Sequence, residues 1–478
     1  MGEPAFDPLP WLILLPLAWA TLAFVLGPGR GASLAIASLA AQAWLVLDLA
    51  RKVSAGGTAA GHAAGGWGAP LGIDLAADGL SVAMLLLVQA VALPLAIHAR
   101  AYYKPGDAAG RYFWPLAGFL IAGLNALFLS ADLFNLYVTL ELVGLAAVAL
   151  VAAGGQAPQL AAALRYLFTT LLGSGAFLLG VALVYGAHGT VSIATLQPLV
   201  DGSAPRLTWI AAGLMVLGLM LKTALFPFHA WLPPAHGGAP APVSALLSAL
   251  VVKASFYLIL RLWLGPLHAV LPAFAWLAAG LGAAAIFWGS WQAIRAVKLK
   301  RLIAYSTVAQ LGYLFLIFPL LAGTQAVLAG VTQVFAHGFA KAGMFAAAGV
   351  VIKASGHDTV AGLAGAVARL PVTMFAFGLA GITLMGLPPS AGFLAKWLLI
   401  DAALGQGYWF IAVVALAGGL LAAVYVFRIL RQAFLLAPED QALAAVPRTL
   451  EWSAFALAAA SVLLGFFALP LASVLNVG

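Results

Sequence analysis

The chain has 478 residues, of which 64% are hydrophobic and 8% charged, with a mean hydropathy of +1.08 and a formal net charge of +8. Apolar stretches near twenty residues recur from end to end, so the chain reads as an all-α, polytopic membrane protein, and a soluble globular domain is excluded. It contains no cysteine, which rules out disulfides, thiolate metal sites and iron–sulfur clusters, and its basic residues fall in short caps between apolar runs rather than in a nucleic-acid-binding domain.

In chain order, hydropathy predicts fourteen spans near residues 9–27, 32–50, 78–98, 113–130, 133–153, 160–185, 207–232, 241–264, 270–292, 302–320, 325–352, 371–400, 409–430 and 452–474. Glu3 and Asp7 precede the first run and no basic segment does, so that run is expected to stay in the mature protein as a helix rather than act as a cleaved signal. The longest connections, near 51–77, 186–206 and 353–370, are glycine-rich and leave no room for a nucleotide-binding module. The expectation is a single membrane domain over 1–478 with no cofactor.

Basic residues divide unequally between the two sets of span ends. Fourteen, among them Arg30, Arg100, Arg165, Lys298, Lys300, Arg301, Lys353, Arg369 and Arg431, fall at one set, and only Arg51, Lys52, Arg206 and Arg261 at the other. The positive-inside rule then places both termini on the outer side of the plasma (inner) membrane. Trp44, Trp114, Trp209, Trp263 and Trp452 fall near predicted span ends and read as interfacial anchors, as do His98, His188 and His268. Asp132 opens the fifth span and reads either as an N-cap or as a cation ligand.

Two spans are interrupted. The seventh contains Lys222-Thr-Ala-Leu-Phe-Pro-Phe-His-Ala-Trp-Leu-Pro-Pro234, where Pro227 and Pro233 each remove a backbone donor, and the twelfth contains Gly386-Leu-Pro-Pro-Ser-Ala-Gly392 ahead of Lys396. Irregular backbone at membrane depth is tolerated only where protein or a wet cavity surrounds it. Five spans separate the breaks, the spacing expected of two inverted five-helix repeats over 113–264 (helices 4–8) and 270–430 (helices 9–13).

Lys222, Lys253, Lys341, Lys396 and Glu141 all lie within apolar runs. Facing lipid, the four lysines together would cost about 10–14 kcal/mol, so they are expected to face protein or water. A lysine at depth exchanges its proton more readily than one in water, which makes it a relay element. The expected site is a switchable Glu141–Lys222 pair, Lys253 as the central relay, and Lys396 as the group that passes the proton to one side. Fixed structural pairing with a carboxylate or a helix C-terminus is the competing reading for each lysine.

His337 and Lys341 are four residues apart on one helix face and are expected to join Lys253 to Lys396 through water. His229 and His236 flank the proline-rich break and are expected to link the axis to a water-filled half-channel. A metal site is the rival reading, disfavoured by the seven-residue spacing and by the lack of a carboxylate nearby.

The ordered motifs Asp132-Leu-Phe-Asn-Leu-Tyr-Val-Thr-Leu-Glu141, Lys222 to Pro234, His236-Gly-Gly-Ala-Pro-Ala-Pro-Val-Ser244 leading to Lys253, Lys300-Arg-Leu-Ile-Ala-Tyr-Ser-Thr-Val-Ala-Gln-Leu-Gly-Tyr313, and Gly386 to Lys396 resemble one family over residues 75–430. It is that of the antiporter-like membrane subunits shared by Mrp-type cation/proton antiporters and respiratory complex I. The Asp-Leu-Phe-Asn-Leu run is most similar to the Mrp D subunit.

The resemblance implies fourteen helices around a hydrophilic axis at mid-membrane. It matches Glu141 to the family's glutamate of the fifth helix, Lys222 to the lysine of the broken seventh, Lys253 to that of the eighth, and Lys396 to the charged residue of the twelfth. Lysine rather than glutamate at 396 disfavours one complex I member, and the short segment after the fourteenth span disfavours the members with long extensions.

The expected function is that of a proton-translocating subunit of a multi-subunit Na+/H+ antiporter, with other hydrophobic subunits as partners. Carboxylates are scarce within the spans, so sodium is assigned to a partner. The alternatives are a proton-pumping subunit of an NADH–quinone complex and a membrane subunit of an inorganic-carbon uptake complex.

Overall fold

The computed structural model describes residues 7–55, 60–69, 72–436 and 444–475; Glu3 and the two extreme ends, on which the predicted sidedness of the termini bears, lie outside them. Thirteen helices among the described residues are long and apolar enough to cross a bilayer: Leu9–Leu26, Pro28–Ser54, Gly79–Tyr102, Ala108–Leu129, Leu133–Ala152, Ala157–His188, Arg206–Gly238, Ala241–Leu264, Leu271–Arg295, Leu299–Leu320, Thr324–Ser355, Trp409–Phe434 and Arg448–Phe466. Two shorter helices, Pro371–Met385 and Ala391–Gly405, take the place of the twelfth span. With that pair counted as the twelfth, the helices follow the predicted order, and spans are numbered accordingly below.

Helix starts follow local capping chemistry. Asp78, Asp132 and Ser390 each occupy an N-cap and accept a hydrogen bond from the backbone N–H three residues on, at Ser81 (2.9 Å), Asn135 (2.7 Å) and Phe393 (3.2 Å). The N-cap reading of Asp132 therefore holds. One feature lies outside the all-helical expectation: β1 (Ala60–Ala63) pairs antiparallel with β2 (Asp74–Ala77) in the connection between the second and third spans. The glycine-rich composition of that connection hid the hairpin, since it lacks the apolar alternation of a half-buried strand.

Span pairs approach closely at glycine. A Cβ on Gly218 would stand 2.2 Å from the Gly173 carbonyl, and one on Gly312 would stand 2.3 Å from the Gly282 carbonyl. Small residues let the sixth and seventh, and the ninth and tenth, spans bring their backbones together, the packing that substitutes for a hydrophobic driving force between helices in lipid.

Three interfacial assignments are corrected by the packing. Trp114 and Trp263 are buried, the Trp263 ring tilted against Phe318 with centroids 4.5 Å apart, and His98 is fully buried with Nδ1 2.8 Å from Ser453 Oγ. Position near a span end predicts an interfacial anchor only if that side of the helix faces lipid, and here neighbouring spans cover it. Trp44 and Trp452 are exposed, as an anchor requires.

Candidate functional site

Both interrupted spans end their first half in the same way. In the seventh, Ala224 takes a left-handed conformation (φ 58°), and the N–H groups of Ala224 and Leu225 bond the carbonyls of Leu221 (3.2 Å) and Met220 (3.1 Å). In the twelfth, Gly386 does so (φ 80°), and the N–H groups of Gly386 and Leu387 bond Thr383 (3.2 Å) and Ile382 (3.0 Å). This paired 5→2 and 6→1 pattern is a Schellman closure. It leaves the last carbonyls of each half-helix without a backbone donor at membrane depth.

In the twelfth span a side chain meets that demand: Lys396 Nζ donates to Leu384 O (2.6 Å) and Met385 O (3.0 Å). In the seventh, Trp231 Nε1 adds a second hydrogen bond, at 3.0 Å, to Leu221 O, which already accepts from Ala224 N–H. The Lys396 ammonium thus neutralises the negative end of a helix dipole and lies 4.7 Å from the centre of the Tyr313 ring. Pro227 lies in the seventh-span break as expected. Pro233 lies in the first turn of Leu232–Gly238, where its missing N–H costs nothing, so it breaks no ladder.

The four lysines are buried among protein groups, each with an oxygen partner. Lys222 Nζ lies 3.5 Å from Glu141 Oε2 and 3.3 Å from Leu140 O. Ser174 Oγ packs against the same Glu141 oxygen and against the Thr170 carbonyl, a single hydroxyl proton serving two acceptors. The eighth span is π-helical over Leu247–Val251, and the Lys253 ammonium, just past that turn, folds back on the Ser248 carbonyl. Lys341 donates to Ile303 O (3.1 Å) and to Ser306 Oγ.

Further polar groups join these stations. Ser248 Oγ lies 3.0 Å from Thr307 Oγ1, which donates to the Ile303 carbonyl that also accepts from Lys341. Gln333 Nε2 donates to Gln310 Oε1 (3.1 Å), and Gln310 Nε2 donates to Leu384 O (3.1 Å), the acceptor of Lys396. Gln333, His337 and Lys341 succeed one another at four-residue steps on one face of the eleventh span. His337 occupies the middle of that face, fully buried, with neither ring nitrogen bonded to any of the described residues.

The structure therefore brings together Glu141 with Lys222, Lys253 with Lys341 through Ser248, Thr307 and Ile303, and Lys396 with Gln310 and Gln333. His236 is fully buried, both ring nitrogens without a partner among the described residues, and lies within electrostatic reach of Lys300, Lys253 and Lys341. His229 stands apart from this group: its Nε2 accepts from Trp288 Nε1 (3.0 Å), and its ring stacks on Phe226, beside the exposed Trp288.

Sequence reading missed Ser174, Ser248, Ser306, Thr307, Gln310 and Gln333. Ser306, Thr307 and Gln310 lie within the Lys300–Tyr313 motif, and Gln333 is four residues before His337, so those four carried a signal. Ser174 and Ser248 carried none, since a lone serine in an apolar helix commonly bonds its own ladder. Lys300 was misplaced among surface caps and is in fact buried, donating to Ala239 O.

At the opposite set of span ends, Arg261 forks onto Asp78 and also reaches Tyr257 Oη and Ser81 Oγ. Burial alone would raise the Asp78 carboxyl, but the Arg261 charge and the hydrogen bonds from Arg261 and Ser81 outweigh it and hold the group below its ordinary range. Asp132 is raised instead, chiefly by burial, with one carboxylate oxygen accepting from no donor among the described residues.

Residues 130–422 match the family described as NADH:quinone oxidoreductase/Mrp antiporter, transmembrane. The chain belongs to that family. It is 38% identical over 386 residues to NADH-quinone oxidoreductase subunit N of Desulforudis audaxviator, covering 77% of this chain and 74% of the relative. It is 32% identical over 379 residues to the Na(+)/H(+) antiporter D subunit of Alkalihalophilus pseudofirmus, covering 77% and 75%.

A chain in the structure of the Mrp complex from Dietzia sp. DQ12-45-1b superposes with a TM-score of 0.91 at 26% identity, covering 98% of this chain and 97% of that one. The protein is thus a multi-pass, antiporter-like membrane subunit of this family, and the resemblance read from its motifs is correct.

Proposed function

We propose that this subunit carries protons along the half-buried Glu141 and the buried groups Lys222, Lys253, His337, Lys341 and Lys396, as part of a multi-subunit Na+/H+ antiporter of the Mrp type in the plasma membrane. One observation carries the reading: buried ammonium groups alternate with hydroxyl, amide and carbonyl partners through the middle of the spans, and the gap between Gln333 and Lys341 is filled by a histidine whose nitrogens have no partner among the described residues. A purely static scaffold has no use for an unbonded imidazole at that place, whereas a hydrated relay does.

Within this proposal, residues 113–264 and 270–430 form two inverted repeats, each contributing one broken helix. The basic span ends face the cytoplasm, the termini lie on the outer side, and sodium is handled by a partner subunit. Local electrostatics support a switch at Glu141. At an effective dielectric near 20, two unit charges attract by about 1.7 kcal/mol at 10 Å and about 4–5 kcal/mol near 3.5 Å. Changing the Glu141–Lys222 separation is therefore enough to shift a proton equilibrium by more than tenfold.

The 38% identity to a subunit N favours a second reading, in which the same relay serves a redox-driven NADH–quinone complex. Everted vesicles carrying the assembled complex separate the two: sodium-dependent collapse of a pH gradient supports antiport, and a gradient built on adding NADH, with no response to sodium, supports the redox pump. In either case Lys222→Ala abolishes the proton flux, and retained flux refutes the relay.

A further inference from the structure

Two cavities of about 370 and 460 Å³ open among the basic span ends, and both are lined by Gly237, Gly238, Lys300 and Asp358. Lys300 is only 6% exposed, and its ammonium donates to the Ala239 carbonyl, at the turn between the seventh and eighth spans. His236, three residues before Ala239 and fully buried, has both ring nitrogens without a partner among the described residues. Its backbone is fixed by Ser244 Oγ, which donates to His236 O at 2.8 Å. His236 is within electrostatic reach of Lys300, Lys253 and Lys341.

Lys300 has a second partner at hand. Asp358 lines the same two cavities, lies within electrostatic reach of Lys300, and is engaged by Lys298 through an exposed contact of 2.9 Å. A surface pair of this kind contributes little, about 0–1 kcal/mol, so Asp358 can exchange one ammonium for another at small cost. A lysine stem with four rotatable bonds spans alternative partners more readily than a fixed planar guanidinium.

We propose that Lys300 is a gate between these cavities and His236: bonded to Ala239 O it closes the passage, and moved to the Asp358 carboxylate it opens it, admitting water to His236 and so to Lys253 and Lys341. The consequence for proton entry rests on the relay reading above; the gate itself does not. His236 then serves as the first group behind the gate, and Lys300 as a positioning residue that sets its hydration.

The chain has no native cysteine, so single cysteines report access directly. Gly237→Cys, on the shared cavity wall, and His236→Cys, behind Lys300, are placed in the assembled complex in membrane vesicles of each orientation. Each is treated with a membrane-impermeant sulfonatoethyl methanethiosulfonate. Gly237→Cys is expected to react whatever residue stands at 300, and only from the basic face.

His236→Cys is expected to react at least about tenfold faster with Lys300→Ala than with Lys300 present, and Asp358→Asn, which removes the open-state partner, is expected to slow it several-fold. Equal His236→Cys rates with and without Lys300, or reaction from the opposite face, overturn the gate. If Lys300→Ala does not assemble, Asp358→Asn at the half-buried Asp358 carries the test, and an unchanged rate overturns it. Proton flux in Lys222→Ala vesicles judges the relay separately, so a working gate with a failed relay, or the reverse, is distinguishable.

Discussion

Gln333 on the eleventh span donates to Gln310 on the tenth at 3.1 Å, and Gln310 in turn reaches the carbonyl of Leu384 that Lys396 also holds. Two neutral amides thus couple the face carrying His337 and Lys341 to the break in the twelfth span. An amide can accept and donate at once, so it passes hydrogen-bond order without adding a charge that the bilayer would penalise.

Gln310→Leu is expected to lower proton flux at least about tenfold while costing about 1–3 kcal/mol in stability from the unpaired Gln333 amide, Leu384 O keeping its bond from Lys396. Gln310→Glu, which keeps an acceptor for Gln333, is expected to retain part of the flux. Fluorescence quenching in everted vesicles reads the first quantity and thermal unfolding in detergent the second; full flux in Gln310→Leu would remove the amide pair from the route.

Glu141 and Lys222 call for a paired design. Lys222→Met alone leaves Glu141 without its partner and is expected to cost about 3–5 kcal/mol, and Glu141→Gln alone a similar amount. The double variant is expected to recover most of that stability, because no buried charge is left uncompensated, yet to transport nothing. Recovery of flux in the double variant would show that the pair is structural.

The two left-handed residues at the breaks predict opposite outcomes. Ala224 holds φ 58° with a Cβ, so Ala224→Gly is expected to be neutral or to stabilise by about 1 kcal/mol. Gly386→Ala adds a Cβ 2.6 Å from Lys396 Cδ at φ 80° and is expected to destabilise the chain and lower flux together by displacing the lysine. Unfolding temperature and vesicle flux, measured on both, test the pair.

Gly144 offers a gentler displacement. A Cβ there would meet Thr170 Oγ1 at 2.8 Å and Lys222 Nζ at 3.3 Å, both ends of movable side chains. Gly144→Ala is expected to reduce flux several-fold with little loss of fold, and the larger Gly144→Val to abolish it. Unchanged flux in both would mean that the Lys222 position is not critical.

Asp78 predicts a pH effect at the far span ends. Its folded-state pKa is below its ordinary value, so the Asp78–Arg261 contribution is fully present above pH about 4 and is lost as pH falls through the folded-state value. Asp78→Asn is therefore expected to lower the unfolding temperature at pH 7 and to differ less from the parent as pH drops toward 3. A constant difference across that range would indicate that the carboxylate charge is not what Arg261 uses.

Local information was enough for much of this protein. Apolar runs of bilayer length gave the spans, because in lipid each helix must satisfy its own backbone. Proline and glycine gave the two breaks, because they act on the adjacent residues, and Lys222, Lys253, Lys341, Lys396 and Glu141 were conspicuous because charge is costly at that depth. Their partners were decided only in three dimensions. Which oxygen an ammonium finds depends on which helices pack side by side: nothing local to Lys396 names Leu384, and nothing in the Lys300 motif says that this lysine turns inward to Ala239 while its neighbour Lys298 stays exposed on Asp358. Burial of Trp114, Trp263 and His98 has the same origin, since a helix face is lipid-exposed or covered according to its neighbours and not according to its own sequence.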